Sequence, residues 1–152
     1  MGALQHERTT LAVYLRAKNQ SGLWNKIVNA LTEGNKIWGE GAPVLIVSFA
    51  KKSFSKNDQR NAFAKYDLGA ANGLLALQAT AMGLQVHQMG GYHDRTLREN
   101  LAITEAYELG AVMAVGYPGD PDTLPQHLAQ REQAPRQRKK QEVFVFNEIL
   151  TG

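Results

Sequence analysis

The feature that most constrains this chain is a run from Leu68 to Met82 that contains no charged residue. It sits inside a longer helical pattern, residues 61–82, dominated by Ala, Leu, Phe and Met. A helix that is apolar nearly all round belongs in an interior, so the pattern predicts a buried core helix. Gly69, Asn72, Gly73 and Gln78 interrupt the run and Gly83 closes it, which argues against a membrane span. Gly69 and Gly73 stand four apart and share a helical face. Small residues there let another backbone approach closely. That approach is either packing within one monomer or a seam between two helices of a dimer, and the spacing leaves both open.

The other elements can be placed around this helix. Residues 11–16, LAVYLR, predict a strand. Ser21 serves as a cap for a helix carrying Leu23, Trp24, Ile27, Val28 and Leu31 at helical spacing, ended by Gly34. Ile37 and Trp38 continue its apolar face before Gly39 and Gly41 break it. APVLIVSFA, residues 42–50, is apolar on both faces and opens with Pro43, which predicts an interior strand. Residues 51–60 are polar and predict a surface loop. LQVHQMGGY predicts a strand or extended piece ending at Gly90–Gly91, and Asp94 caps a helix over DRTLRENLAI. LGAVMAVG, residues 109–116, predicts a second buried strand that ends in the turn GYPGDP. A short helix from Thr123 to Arg131 and a final VFVF strand, residues 143–146, complete the chain. Strands alternate with helices, so the class is α/β or α+β.

A chain of 152 residues makes one domain with a core of useful size. It contains no cysteine. That excludes disulfides, thiol catalysis, Cys-ligated zinc and iron–sulfur clusters, and it fits a reducing compartment. The four histidines, His6, His87, His93 and His127, form no HExxH, and no carboxylate cluster joins His87 and His93. No metal site is therefore expected. The nucleophile elbow GxSxG, the Walker loop and the dinucleotide fingerprint GxGxxG are all absent. No catalytic side chain stands out, so any chemistry needs a cofactor.

Two features remain. Gly90–Gly91 follows a strand and precedes a helix, where glycines let the backbone approach a planar ligand and aim an N–H at it. A tight turn is the plainer reading of the same pair. The second feature is charge. The net charge is +3, yet Arg131, Arg136, Arg138, Lys139 and Lys140 lie within ten residues, and subtracting these five leaves −2 for the rest. Arg136 and Arg138 can project to the same side of an extended backbone and clamp a phosphate. A solvated charge run is the plainer alternative. A nucleic-acid surface is disfavoured, because aromatic residues do not alternate with the charges and the patch is small.

Taken in order, these segments resemble the nitroreductase family of FMN-dependent oxidoreductases. The resemblance runs from about Leu23 to Asn147 and rests on six segments. They are LWNKIVNAL with the following Trp38, APVLIV (42–47), YDLGAANGLLALQATAMGL (66–84), MGGY (89–92), LAITEAYELGAVMAVGYP (101–118) and RQRKKQEVFVFNE (136–148). It implies an α+β fold, with a central, mostly antiparallel sheet flanked by helices, and an intertwined homodimer with FMN at the subunit interface. It further implies that Met89, Gly90 and Gly91 lie against the flavin ring, with a backbone N–H reaching the nitrogen that accepts hydride. Arg136 and Arg138 would contact the FMN phosphate. The chemistry implied is ping-pong transfer from NAD(P)H through FMN to a nitroaromatic, a quinone or a similar small acceptor, with no obligatory side-chain acid or base.

The family's opening segment, an Arg-rich helix and a Pro-Ser-x-x-Asn-x-Gln-Pro-Trp stretch, has no counterpart in MGALQHERTTLAVYLRAKNQ, where Arg8 is a poor substitute. The expectation is thus a single domain over 1–152 that lacks this helical, FMN-binding segment. The alternative function is a non-catalytic or other-ligand-binding dimer on the same scaffold. No membrane partner is expected, and no apolar run follows a basic start at the N-terminus, so a cytoplasmic location is expected.

Overall fold

Alternating apolar runs in the first three-quarters of the chain build one antiparallel sheet with both faces covered. A computed structural model describes residues 11–17 and 21–146. The segment before Leu11, with Arg8, and the end of the family resemblance, Asn147 and Glu148, lie outside the described residues. The elements run β1 (Leu11–Ala17), α1 (Ser21–Val28), α2 (Glu33–Gly39), β2 (Val44–Lys51), α3 (Ala64–Ala81), β3 (Gln85–Met89), α4 (Asp94–Leu101), β4 (Tyr107–Gly116) and α5 (Gln126–Gln133). The sheet order is β1-β2-β4-β3, and every pairing is antiparallel.

β2 occupies an interior position, as its two-sided hydrophobicity predicts. Its side chains alternate between faces. Leu45, Val47 and Phe49 join a core with Trp24, Ile27 and Val28 of α1 and with Leu97 and Leu101 of α4. Ile46 packs with Met113 and Val115 on the α3 side, where Leu75 covers them, and Ala50 meets Ala64 and Leu68 of α3. The β2–β4 register shifts between Val47 and Phe49. Ser48, the lone polar residue of the run, lies in that bulge and is fully buried. Its hydroxyl accepts hydrogen bonds from Asn72 Nδ2 (2.9 Å) and the Ala111 N–H (3.3 Å) and donates to the Ala111 carbonyl (3.2 Å). Asn72 thus anchors α3 to the sheet by a polar contact set among apolar ones.

Three expectations need correction. The predicted helix from Ser21 to Gly34 is instead two helices, because α1 ends at Val28 and Gly34 lies inside α2. Leu31 forms a β-bridge with Tyr92, and the Ala30 carbonyl accepts the His93 N–H (2.8 Å). These tertiary bonds take residues 30–31 out of the helical ladder. The second correction concerns α3, which is not buried all round. Ala64, Leu68, Asn72 and Ala79 are buried, whereas Tyr66 (76%), Leu74 (68%) and Leu77 (68%) are exposed, with Phe63 and Met82 at its ends. Among the described residues, a Cβ built on Gly69 or Gly73 meets nothing within 4 Å. Third, residues 143–146 form no strand. A 3₁₀ turn spans Gln141–Val143, and Val143, Phe144, Val145 and Phe146 are exposed.

The described chain divides after Pro118 into two compact units. The first holds the sheet and α1–α4. The second, from Gly119, holds a 3₁₀ turn at Pro121–Thr123, then α5 and the basic segment. No helix among the described residues is long and apolar enough to cross a membrane.

Candidate functional site

The Gly90–Gly91 turn is built from both sides. β3 ends at Met89, whose side chain is 2% exposed and belongs to the core. A Cβ placed on Gly39, at the end of α2, would lie 3.6 Å from the Met89 sulfur. Met89 thus fixes the strand end and offers a ligand only its backbone. The chain then turns within three residues, because the Tyr92 N–H donates to the Gly90 carbonyl at 3.2 Å. The Tyr92 hydroxyl donates to the Gly110 carbonyl at 2.7 Å, tying the turn to β4. Burial, and next the nearby Asp94 carboxylate, raise the Tyr92 pKa, so the phenol stays protonated and continues to donate.

On the other side stands α2. The Gly91 carbonyl accepts from the Thr32 N–H (3.1 Å), Thr32 Oγ1 (3.0 Å) and Asn35 Nδ2 (2.9 Å). At the far end of α2, the Trp38 ring stands 4.5 Å from that of His87 on β3, tilted by 56°. The helix therefore braces β3 at one end and the turn at the other.

The two glycines have different reasons to be glycine. Neither has a positive φ, so the turn does not require left-handed backbone at either. A Cβ on Gly91 would fall 2.6 Å from Asn35 Nδ2 and 2.9 Å from Thr32 Oγ1, so the chain's own packing excludes a side chain there. Among the described residues, a Cβ on Gly90 would meet nothing within 4 Å, and Gly90 is exposed. Among the described residues, neither the Gly90 nor the Gly91 N–H finds an acceptor. An open backbone flank with two unused donors fits a flat ligand bearing acceptor atoms along its edge.

Arg136 and Arg138 belong to the second unit. Both are exposed, and among the described residues neither forms an ion pair; Arg138 makes one long contact, Nη1 to the Gln137 carbonyl at 3.5 Å. Two guanidinium groups without carboxylate partners suit a phosphate. A surface depression of about 480 Å³ is lined by α4 and residues 102–105. Its Arg98 is already held by Asp94 and by the Thr104 and Tyr107 carbonyls.

Sequence reasoning missed Thr32, Asn35, Ser48 and Asn72. Ser48 was visible as the single polar residue in an apolar strand, whereas Thr32 lay inside the helix expected to run to Gly34. The Ser48 signal names no partner.

Comparisons with known proteins bear on the fold and the family. The sequence pattern of the nitroreductase family matches residues 2–117, a stretch that includes the glycine turn and stops before the arginine pair. An uncharacterised 15.4 kDa protein from the ask 5′ region of Mycolicibacterium smegmatis is 31% identical over 121 residues, 79% of each chain. A solved oxidoreductase containing FMN superposes with a TM-score of 0.84 at 30% identity, covering 93% of this chain and 72% of that one. A Desulfovibrio desulfuricans protein solved in complex with FMN shares the fold, with a TM-score of 0.67, 17% identity, and 93% and 73% coverage. On the family match and the shared α+β fold, this chain belongs to the nitroreductase family.

Proposed function

We propose that this chain is an FMN-dependent oxidoreductase that works as a homodimer. The observation that carries the reading is the Gly90–Gly91 turn, with open space beside Gly90 and N–H groups that find no acceptor among the described residues. Support comes from the family membership and from the FMN content of the 30%-identical oxidoreductase. When bound, FMN supplies two-electron chemistry, passing reducing equivalents from NAD(P)H to a nitroaromatic or quinone acceptor in a ping-pong sequence.

This chain's own residues have binding roles. Gly90 leaves room for a ring against its backbone. The Gly90 and Gly91 N–H groups donate to ring-edge acceptors, while buried Met89 keeps the end of β3 fixed. Arg136 and Arg138 supply positive partners for the phosphate. The Tyr92 phenol is committed to the Gly110 carbonyl and its pKa is raised, so it is poorly suited to act as a general acid or base.

A second copy of the chain is the occupant proposed for the outer face of α3. Tyr66, Gly69, Gly73, Leu74 and Leu77 form an apolar, small-residue stripe at i+3 and i+4 spacing, exposed in one chain.

Incubation with FMN followed by desalting tests the function. Retained visible flavin absorbance, together with quinone-dependent oxidation of NADH or NADPH, is the expected result. Protein that stays colourless at saturating FMN would refute it.

A further inference from the structure

We infer that Thr32 and Asn35 are positioning residues that set the direction and strength of the Gly91 N–H as a donor; the inference rests on the flavin reading above. Three donors converge on the Gly91 carbonyl: the Thr32 N–H (3.1 Å), Thr32 Oγ1 (3.0 Å) and Asn35 Nδ2 (2.9 Å). A carbonyl oxygen has two lone pairs, so this one is saturated. Thr32 holds the N-cap position of α2, yet its hydroxyl makes no capping bond. It is spent on Gly91 instead.

The bonding continues through the turn. The Gly91 carbonyl and the Tyr92 N–H belong to one peptide unit, and that N–H donates to the Gly90 carbonyl at 3.2 Å. The Gly90 carbonyl in turn shares a peptide unit with the Gly91 N–H. Donation to an amide oxygen polarises the amide and strengthens its own N–H, and the effect passes along hydrogen-bonded chains. Peptide planarity holds each N–H opposite its carbonyl. Thr32 and Asn35 therefore stand at the head of a two-peptide relay. Its last donor, the Gly91 N–H, has no acceptor among the described residues. The ring nitrogen that takes up hydride offers an in-plane lone pair in oxidised FMN and carries its own hydrogen once hydride has added, so a stronger donor aimed at it favours the oxidised ring. Thr32 and Asn35 should thus tighten oxidised FMN more than reduced FMN.

The test compares wild type with Thr32→Val, with Thr32→Val/Asn35→Leu and with the hydroxyl-preserving Thr32→Ser. Dissociation constants are measured for oxidised FMN and, anaerobically, for reduced FMN. The Gly91 amide-proton resonance is recorded without flavin. In the double variant the oxidised-to-reduced affinity ratio should fall roughly fivefold, where tenfold equals about 30 mV for a two-electron couple. The Gly91 amide proton should move upfield, and Thr32→Ser should match wild type in both readouts. If the double variant does not fold, Thr32→Val alone carries the comparison, with a smaller fall expected. Equal weakening of both flavin forms with an unmoved Gly91 amide would overturn the inference while leaving the flavin reading intact. Wild-type protein that binds neither form would overturn both.

Discussion

Replacing Ser48 by alanine removes a single oxygen and leaves three partners unserved. The Asn72 amide loses its 2.9 Å acceptor, and Asn72 is only 7% exposed. The Ala111 N–H and carbonyl lose bonds of 3.3 and 3.2 Å, at a bulge where the β2 register has shifted. A buried donor or acceptor left unsatisfied costs about 1–3 kcal/mol. Ala111 is only partly buried, so water offsets part of its share. The expected net loss is about 2–4 kcal/mol. For a chain of this size that lowers Tm by roughly 5–15 °C. Urea and thermal unfolding give the number, taken at one fixed protein concentration because a dimer's stability depends on it. Adding Asn72→Leu to Ser48→Ala should recover part of the loss, since the buried amide goes with its partner. A cost for Ser48→Ala below about 0.5 kcal/mol would refute the network as drawn.

Three further outcomes follow from the same structure. Leu74→Glu/Leu77→Glu should leave the monomer's unfolding little changed, because both leucines are 68% exposed; at about 1–2 kcal/mol of lost burial per side chain in each copy, dimer association should weaken at least about a thousandfold. Sedimentation velocity reads this, and an unaltered dimer would count against the α3 seam. Arg136→Ala/Arg138→Ala should raise the FMN dissociation constant by about two to four orders of magnitude through lost charge-assisted bonds; unchanged binding would reduce the pair to a surface run. For Tyr92 the folded pKa lies above the unfolded one, so its contribution is fully present below pH ~10 and is lost as pH rises through the folded value. Urea midpoints across pH 8–11.5 should therefore fall more steeply for wild type than for Tyr92→Phe, and parallel curves would contradict the assignment.

Much of the fold was legible in the sequence because β2, β3 and β4 carry local signals strong enough to stand alone. The two-sided run at residues 42–50 could only be interior, and β2, the strand it forms, is. The break between α1 and α2 was not legible, since it depends on Leu31 pairing with Tyr92, 61 residues away in sequence. Helical spacing says nothing about such a partner. The outer face of α3 misled for a related reason. Hydrophobicity records that Leu74 and Leu77 favour burial, but not whether their own chain covers them. VFVF alternates poorly and has β-forming composition, yet a strand needs a neighbour to pair with, and the chain places residues 141–143 in a 3₁₀ turn. At the site, Gly90 and Gly91 were found as a pair and assigned one role. The structure separates them: Gly91 is closed in by Thr32 and Asn35, and Gly90 faces open space.

Seating of FMN against the Gly90–Gly91 turn is the step on which the proposed function rests. The most direct measurement follows backbone amide resonances of the full chain as FMN is added. Saturable shifts at Gly90 and Gly91, larger than those of the β1–β2 pairing, are expected. Binding of FMN that leaves both glycine amides unmoved, or no binding at all, would contradict that seating.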